Sequence, residues 1–183
     1  MDINPTTIKD CFEIIPQVFK DERGYFFESF NHQKLEEAIQ QKINFVQDNQ
    51  SYSYKGVLRG LHFQKGEHAQ AKLVRVLDGI VLDVVVDIRK NSATYGKIHS
   101  TVLSQKNRKQ LFIPKGCAHG FVTLSKTAIF FYKCDNYYHK NSEAGIIYND
   151  RSLQIDWQLP ESDLIISDKD KVLPLFKELN YAH

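Results

Sequence analysis

Lys72-Leu73-Val74-Arg75-Val76-Leu77-Asp78-Gly79-Ile80-Val81-Leu82-Asp83-Val84-Val85-Val86-Asp87-Ile88 is the stretch on which the fold turns. Lys72, Val74 and Val76 alternate with Leu73, Arg75 and Leu77, a period of two that fits a strand and not a helix. Leu77-Asp78-Gly79 is a turn signal, and the β-branched run from Ile80 to Ile88 follows it as a second strand. Downstream, Lys97–Leu103, Gln110–Ile113, Ala118–Leu124 and Ala128–Asp135 are further short strand-like runs, with Pro114-Lys115-Gly116 as another turn. Upstream, only Asn31–Lys42 has clear helical spacing, with Asn31 as its cap and Leu35, Ala38 and Ile39 on one face. The tail, Glu161–His183, is mixed in character and is expected to wrap the outside or form a short helix.

Many short strands spaced by turns predict a mainly β chain, an antiparallel double-sheet barrel of the jelly-roll kind with a few short helices. Such a barrel leaves a mouth between its sheets for a ligand. It also leaves sheet edges, and pairing across a two-fold axis is a common remedy, so a homodimer is expected. A length of 183 residues suits one domain spanning 1–183.

Composition narrows the partners. The 24 basic and 22 acidic side chains leave a formal charge of +2, too small to make nucleic acid or an anionic membrane the expected partner. A local basic cluster remains compatible with a small anionic substrate. The run around Gly79–Ile88 is broken by Asp83 and Asp87, so no membrane span is expected. MDINPTTIKDCFEIIP lacks a basic segment followed by an apolar one, which predicts no signal peptide. Cys11, Cys117 and Cys134 are odd in number and widely spaced, the usage of packing thiols in a reducing cytoplasm.

Several polar residues sit where packing alone would not put them. In Gly56-Val57-Leu58-Arg59-Gly60-Leu61-His62-Phe63-Gln64, strict alternation sends Arg59 and His62 to opposite faces, unless Gly60 introduces a bulge that re-aims one of them. Lys72 shares parity with Val74 and Val76, and a lysine on a core face is costly unless its charge is used. Tyr132 alternates with Phe130 and Cys134, so its phenol needs an inward partner. Each residue has a plain alternative: a hydrogen-bonded core histidine, a solvated arginine, a lysine at a strand start, a packed tyrosine. His119, entering a strand after a turn, is ambiguous in the same way. His62 and His119 are too few and too poorly clustered for a metal site, so no metal is expected. No dinucleotide or phosphate-binding glycine loop and no nucleophile elbow is present.

Taken together the motifs resemble the dTDP-4-dehydrorhamnose 3,5-epimerase family from about Cys11 to Leu175. The resemblance is carried by Asp21-Glu22-Arg23-Gly24 with Phe26 and Glu28, by Gln47-Asp48-Asn49, and by Leu58-Arg59-Gly60-Leu61-His62-Phe63-Gln64. It continues through Ala71-Lys72-Leu73-Val74, Val86-Asp87-Ile88-Arg89, Ile113-Pro114-Lys115-Gly116-Cys117-Ala118-His119-Gly120-Phe121, Tyr132-Lys133, Tyr137-Tyr138 with Glu143, and Ser167-Asp168-Lys169-Asp170. It implies a cupin-type homodimer that epimerises a nucleotide-diphosphate 4-keto-6-deoxy sugar without a cofactor, in the cytoplasm. His62 would be the general base, Asp170 its orienting partner, Lys72 the enolate stabiliser and Tyr132 the acid on the opposite face. Arg23, Phe26, Glu28, Gln47, Asn49, Arg59, His119, Tyr138 and Glu143 would bind substrate. Cys117 stands where the family has a bulky aromatic, Asp135 where it has threonine, and His139-Lys140-Asn141 is an unusual loop. These departures leave open a GDP-linked 4-keto-6-deoxy-heptose substrate, inversion at C3 only, or a non-catalytic sugar-binding jelly roll.

Overall fold

The computed structural model describes residues 1–179; the end of the expected Glu161–His183 wrap, residues 180–183, lies outside the described residues. The chain runs β1 (Asp2–Pro5), β2 (Phe12–Ile15), β3 (Phe19–Asp21), β4 (Gly24–Phe26), α1 (His32–Ile39), β5 (Gln47–Tyr54), β6 (Val57–Gln64) and β7 (Lys72–Asp78). It continues with β8 (Ile80–Asp87), β9 (Ile98–Ser104), β10 (Gln110–Ile113), β11 (Cys117–Thr123), β12 (Thr127–Cys134), β13 (Glu143–Gly145) and β14 (Ile165–Ile166). Short 3-10 turns punctuate the rest, at Gly66–His68, Lys140–Ser142, Glu161–Asp163, Asp170–Val172 and Phe176–Glu178. Two sheets form the cupin-type jelly roll: β1-β2-β10-β7-β12-β5, and β13-β6-β11-β8-β9 with β14 added beside β6.

The alternation in β7 and β8 builds three apolar layers. Val74, Val76, Val81 and Val85 meet between the sheets with Leu111, Ile113, Phe121 and Phe130. Leu82, Val84 and Val86 point the other way and are covered by Ile146, Leu153 and Trp157 of the C-terminal segment. Leu73, on the outer face of the first sheet, packs with Phe112 beneath Leu35 and Ile39 of α1. Each such side chain removed from water contributes roughly 1.5–3 kcal/mol. The barrel is therefore sandwiched between a helix and a wrap, and polar groups gather at the mouth.

The helix is shorter than its spacing predicts. Asn31 caps it by accepting from the Lys34 backbone N–H at 3.1 Å, but Gln40 turns left-handed at φ 56°. The Glu36 carboxylate then accepts from the Ile43 N–H at 2.9 Å, folding the chain back before Lys42 can extend the helix. A second difference is β5, whose sequence Gln-Asp-Asn-Gln-Ser-Tyr-Ser-Tyr carries no apolar period. It pairs with all of β12, from Gln47↔Cys134 to Tyr54↔Thr127, and this ladder holds a polar strand in the sheet.

Candidate active site

One cavity of about 640 Å³ opens between the two sheets, within the usual size of a small-molecule site. His62 and Arg59 reach it from β6, His119 from β11, Lys72 from β7, Tyr132 from β12, Asn49 and Ser51 from β5, and Lys169 and Asp170 from the loop after β14. His62 and Tyr132 therefore stand on opposite sheets.

The bulge that Gly60 permits is present, and strict alternation does not hold here. The β6–β11 register shifts between His119 and Phe121, so that His119 faces His62 while Phe121 faces Arg59. Gly60 has φ 140°, and a Cβ there would lie 2.5 Å from the Gly120 Cα. Only a glycine admits both that backbone and that approach. The shift brings Arg59 and His62 to the same cavity despite their opposite parity.

Asp170 is 4% exposed, and its Oδ1 lies 2.7 Å from His62 Nε2. Burial pushes its carboxyl up, but hydrogen bonds from His62, the Gly60 N–H and Ser167 outweigh that and hold it below the usual carboxylate range. An ionised carboxylate only accepts, so Nε2 carries the proton and the Nδ1 lone pair of neutral His62 is left free. His119 Nε2 is held in parallel fashion by Asp83 at 2.9 Å. Asp83 is wholly buried, and its Oδ1 has no hydrogen-bond partner among the described residues. Burial lowers the Lys72 pKa, against the opposing influence of Cys134, Asp83 and Glu143. Its Nζ stands 5.9 Å from the Tyr132 ring centre. Burial pushes the Tyr132 phenol up to about 12, so it holds its proton well above neutral pH.

At the rim, Arg59 Nε donates to Ser53 Oγ at 3.2 Å, which aims the guanidinium. Gln47 donates to Asn49 Oδ1 at 3.0 Å and accepts from the Tyr138 N–H at 2.9 Å. The Tyr138 hydroxyl donates to Glu143 at 2.9 Å, and Glu143 pairs with Lys169 at 2.6 Å. Gln47, Tyr138 and Glu143 thus join the cavity through Asn49 and Lys169. Arg23, Phe26 and Glu28 do not line it. Arg23 and Phe26 belong to the hairpin β3–β4, whose strand residues are all exposed, while Glu28 is engaged by Lys34 and Asn31. Sequence pattern alone does not mark Ser51, Lys169 or Asp83 as site residues. Lys169 lies in Ser167-Asp168-Lys169-Asp170 and Asp83 interrupts an apolar run, both usable signals, whereas Ser51 offers none. Among the described residues, no group of three or more His, Cys, Asp or Glu is arranged to hold a metal ion.

The family model for dTDP-4-dehydrorhamnose 3,5-epimerase matches residues 5–178. The chain belongs to the dTDP-4-dehydrorhamnose 3,5-epimerase family. It is therefore an isomerase by family. The dTDP-4-dehydrorhamnose 3,5-epimerase of Salmonella typhimurium is 54% identical over 176 residues, 94% of each chain. A crystal structure of the Elizabethkingia anophelis epimerase is 55% identical, covers 99% of both chains and superposes with a TM-score of 0.96. The Legionella pneumophila epimerase, solved in complex with dTDP-4-keto-L-rhamnose, is 47% identical over 98% of this chain and 94% of that one, with a TM-score of 0.93.

Proposed function

We propose that the protein epimerises a dTDP-4-keto-6-deoxy-hexose at the two carbons flanking the ketone. The observation that carries this is a histidine base held by a buried carboxylate on one sheet, facing a protonated phenol on the other. His62 Nδ1 removes the proton from the carbon next to the ketone. Charge moves to the ketone oxygen, where the Lys72 ammonium stabilises the enolate; one preorganised donor of this kind is worth about 3–4 kcal/mol. Tyr132 then delivers its proton to the opposite face, inverting the centre; it regains a proton from solvent while the His62 imidazolium releases the one it took, which restores both groups. Two groups on two walls are required, because a single group returning its own proton restores the starting configuration. The same ketone acidifies both neighbouring carbons, so one site serves both once the ring repositions.

Arg59 takes the diphosphate, where its fork matches phosphate oxygens, with Asn49 and His119 beside the sugar. Tyr138, half exposed and fixed at both its N–H and its hydroxyl, offers its ring to the base. The chain acts as one jelly-roll domain in the cytoplasm, as a homodimer. The exposed β3–β4 hairpin, with Phe19 55%, Tyr25 56% and Phe26 69% exposed, supports this assembly. So does β5, an edge strand presenting Tyr52 and Tyr54 outward. In the dimer Arg23, Phe26 and Glu28 complete the partner's cavity.

The deciding experiment follows the sugar protons by NMR in D₂O with dTDP- and GDP-linked 4-keto-6-deoxy sugars. Exchange at C3 and C5 of the dTDP-hexose supports the reading. Exchange only at C3, or only with the GDP sugar, keeps the chemistry and changes the substrate; no exchange leaves a binding protein. Mixing Arg23→Ala with His62→Asn tests the shared site. Activity recovers if one intact site forms across the dimer, and stays absent if each chain builds its own.

A further inference from the structure

Asp135 and His139 flank Tyr138 and anchor the same short segment from both ends. At one end Asp135 Oδ1 accepts from the Ala71 N–H at 2.7 Å, and its other oxygen pairs with Lys115 at 3.0 Å. At the other end the His139 ring stacks on His68, centres 4.1 Å apart and planes 8° off parallel. His68 ends the 3-10 turn between β6 and β7, and Glu67 lies 3.7 Å from its Nε2. His139 Nδ1 lies 3.2 Å from Ser142 Oγ, and the His139 N–H donates to Gln64 at 3.1 Å. Between the two ends Asn136 donates to the Glu67 carbonyl and accepts at its own carbonyl from Gln70, both at 2.8 Å.

We propose that Asp135 and the His68–His139 stack form a clasp that presents Tyr138, and that these are positioning residues for the nucleotide base. The inference rests on the reading that Tyr138 packs against the base. A planar stack suits this use: it resists twisting of the segment while leaving the exposed face of Tyr138 free for a planar ligand. Removing it loosens the presentation of Tyr138 without touching His62, Lys72 or Tyr132. The cost should fall on binding and not on turnover. Aromatic pairs of this size correspond to about a two- to tenfold change in an equilibrium constant.

The test measures binding of dTDP and of inorganic pyrophosphate by calorimetry, together with kcat and KM. The proteins are the wild type, His139→Ala, His68→Ala and His139→Phe. His139→Ala and His68→Ala should weaken dTDP by about two- to tenfold and raise KM alike, with kcat and pyrophosphate affinity unchanged. His139→Phe, which keeps a planar ring, should restore dTDP affinity. The clasp is refuted if His139→Ala binds dTDP as the wild type does, or if dTDP and pyrophosphate weaken equally. It is also refuted if kcat falls while KM holds. Wild-type protein that binds neither dTDP nor GDP would instead refute the functional reading, and the clasp with it.

Discussion

Asp170→Asn is the most informative single substitution, because the two side chains are nearly the same shape and differ chiefly in charge. Three donors, His62, the Gly60 N–H and Ser167, point at the Asp170 carboxylate, whereas an amide offers one accepting atom. If the amide oxygen takes His62, the tautomer survives but the charge that stabilises the developing imidazolium is lost. A hydrogen bond to a charged group is worth about 1.5–3 kcal/mol and a neutral one about 0.5–1.5. The difference of roughly 1–1.5 kcal/mol is about tenfold in rate. If the amide nitrogen faces His62 instead, Nε2 becomes the acceptor and Nδ1 carries the proton. The base is then blocked, and the loss approaches its whole contribution, about 10²–10⁴. Turnover of the dTDP-hexose, followed by NMR, should fall at least about tenfold while circular dichroism reports an intact fold. Stability should respond too. The folded-state pKa of Asp170 lies below its ordinary value of 3.8. Its contribution is therefore present above about pH 4 and lost as pH falls through the folded value. The Tm gap between wild type and variant should be widest near neutrality and close in acid. Turnover within twofold of wild type in a folded variant would refute the assigned role.

Tyr132→Phe should uncouple exchange from inversion: deuterium enters beside the ketone through His62, but the configuration is retained. Inverted product at the wild-type rate would show that the phenol is not the second proton donor. The alkaline limb of the kcat profile should fall below pH 10.5, the ordinary lysine value that burial lowers for Lys72, before Tyr132 ionises near 12. Lys72→Arg should move that limb upward; an unmoved limb would assign it to another group. Exhaustive chelation should leave activity intact, and restoration by one metal after a loss would overturn the cofactor-free mechanism.

The jelly roll was legible because β7 alternates with a period of two and β8 is a β-branched apolar run, with a turn signal between them. Val74 and Val76 share one face, as their parity predicts, and meet Val81 and Val85 of the next strand between the sheets. β5 was not legible, for a reason tied to function. Gln47, Asn49, Ser51 and Ser53 alternate with exposed neighbours on one face of the strand. Of these, Asn49 and Ser51 line the cavity. A strand that serves a polar site has no apolar period to read, and pairing with β12 is what holds it. Among the site residues, Lys72 and Tyr132 were placed inward by parity. Arg59 and His62 needed a register shift that Gly60 permits but does not dictate.

Residue types and local period therefore determined the strands, the turns and the chemistry on offer: a base, a phenol, a lysine and a carboxylate with their family motif. Tertiary structure decided which of them meet. Asp170 reaches His62 across 108 positions of sequence, and Asp83 reaches His119 across 36. Such pairings depend on which strands become neighbours and on the route of the C-terminal wrap. Those are fixed by burial summed over whole sheets, a long-range property that local pattern does not carry.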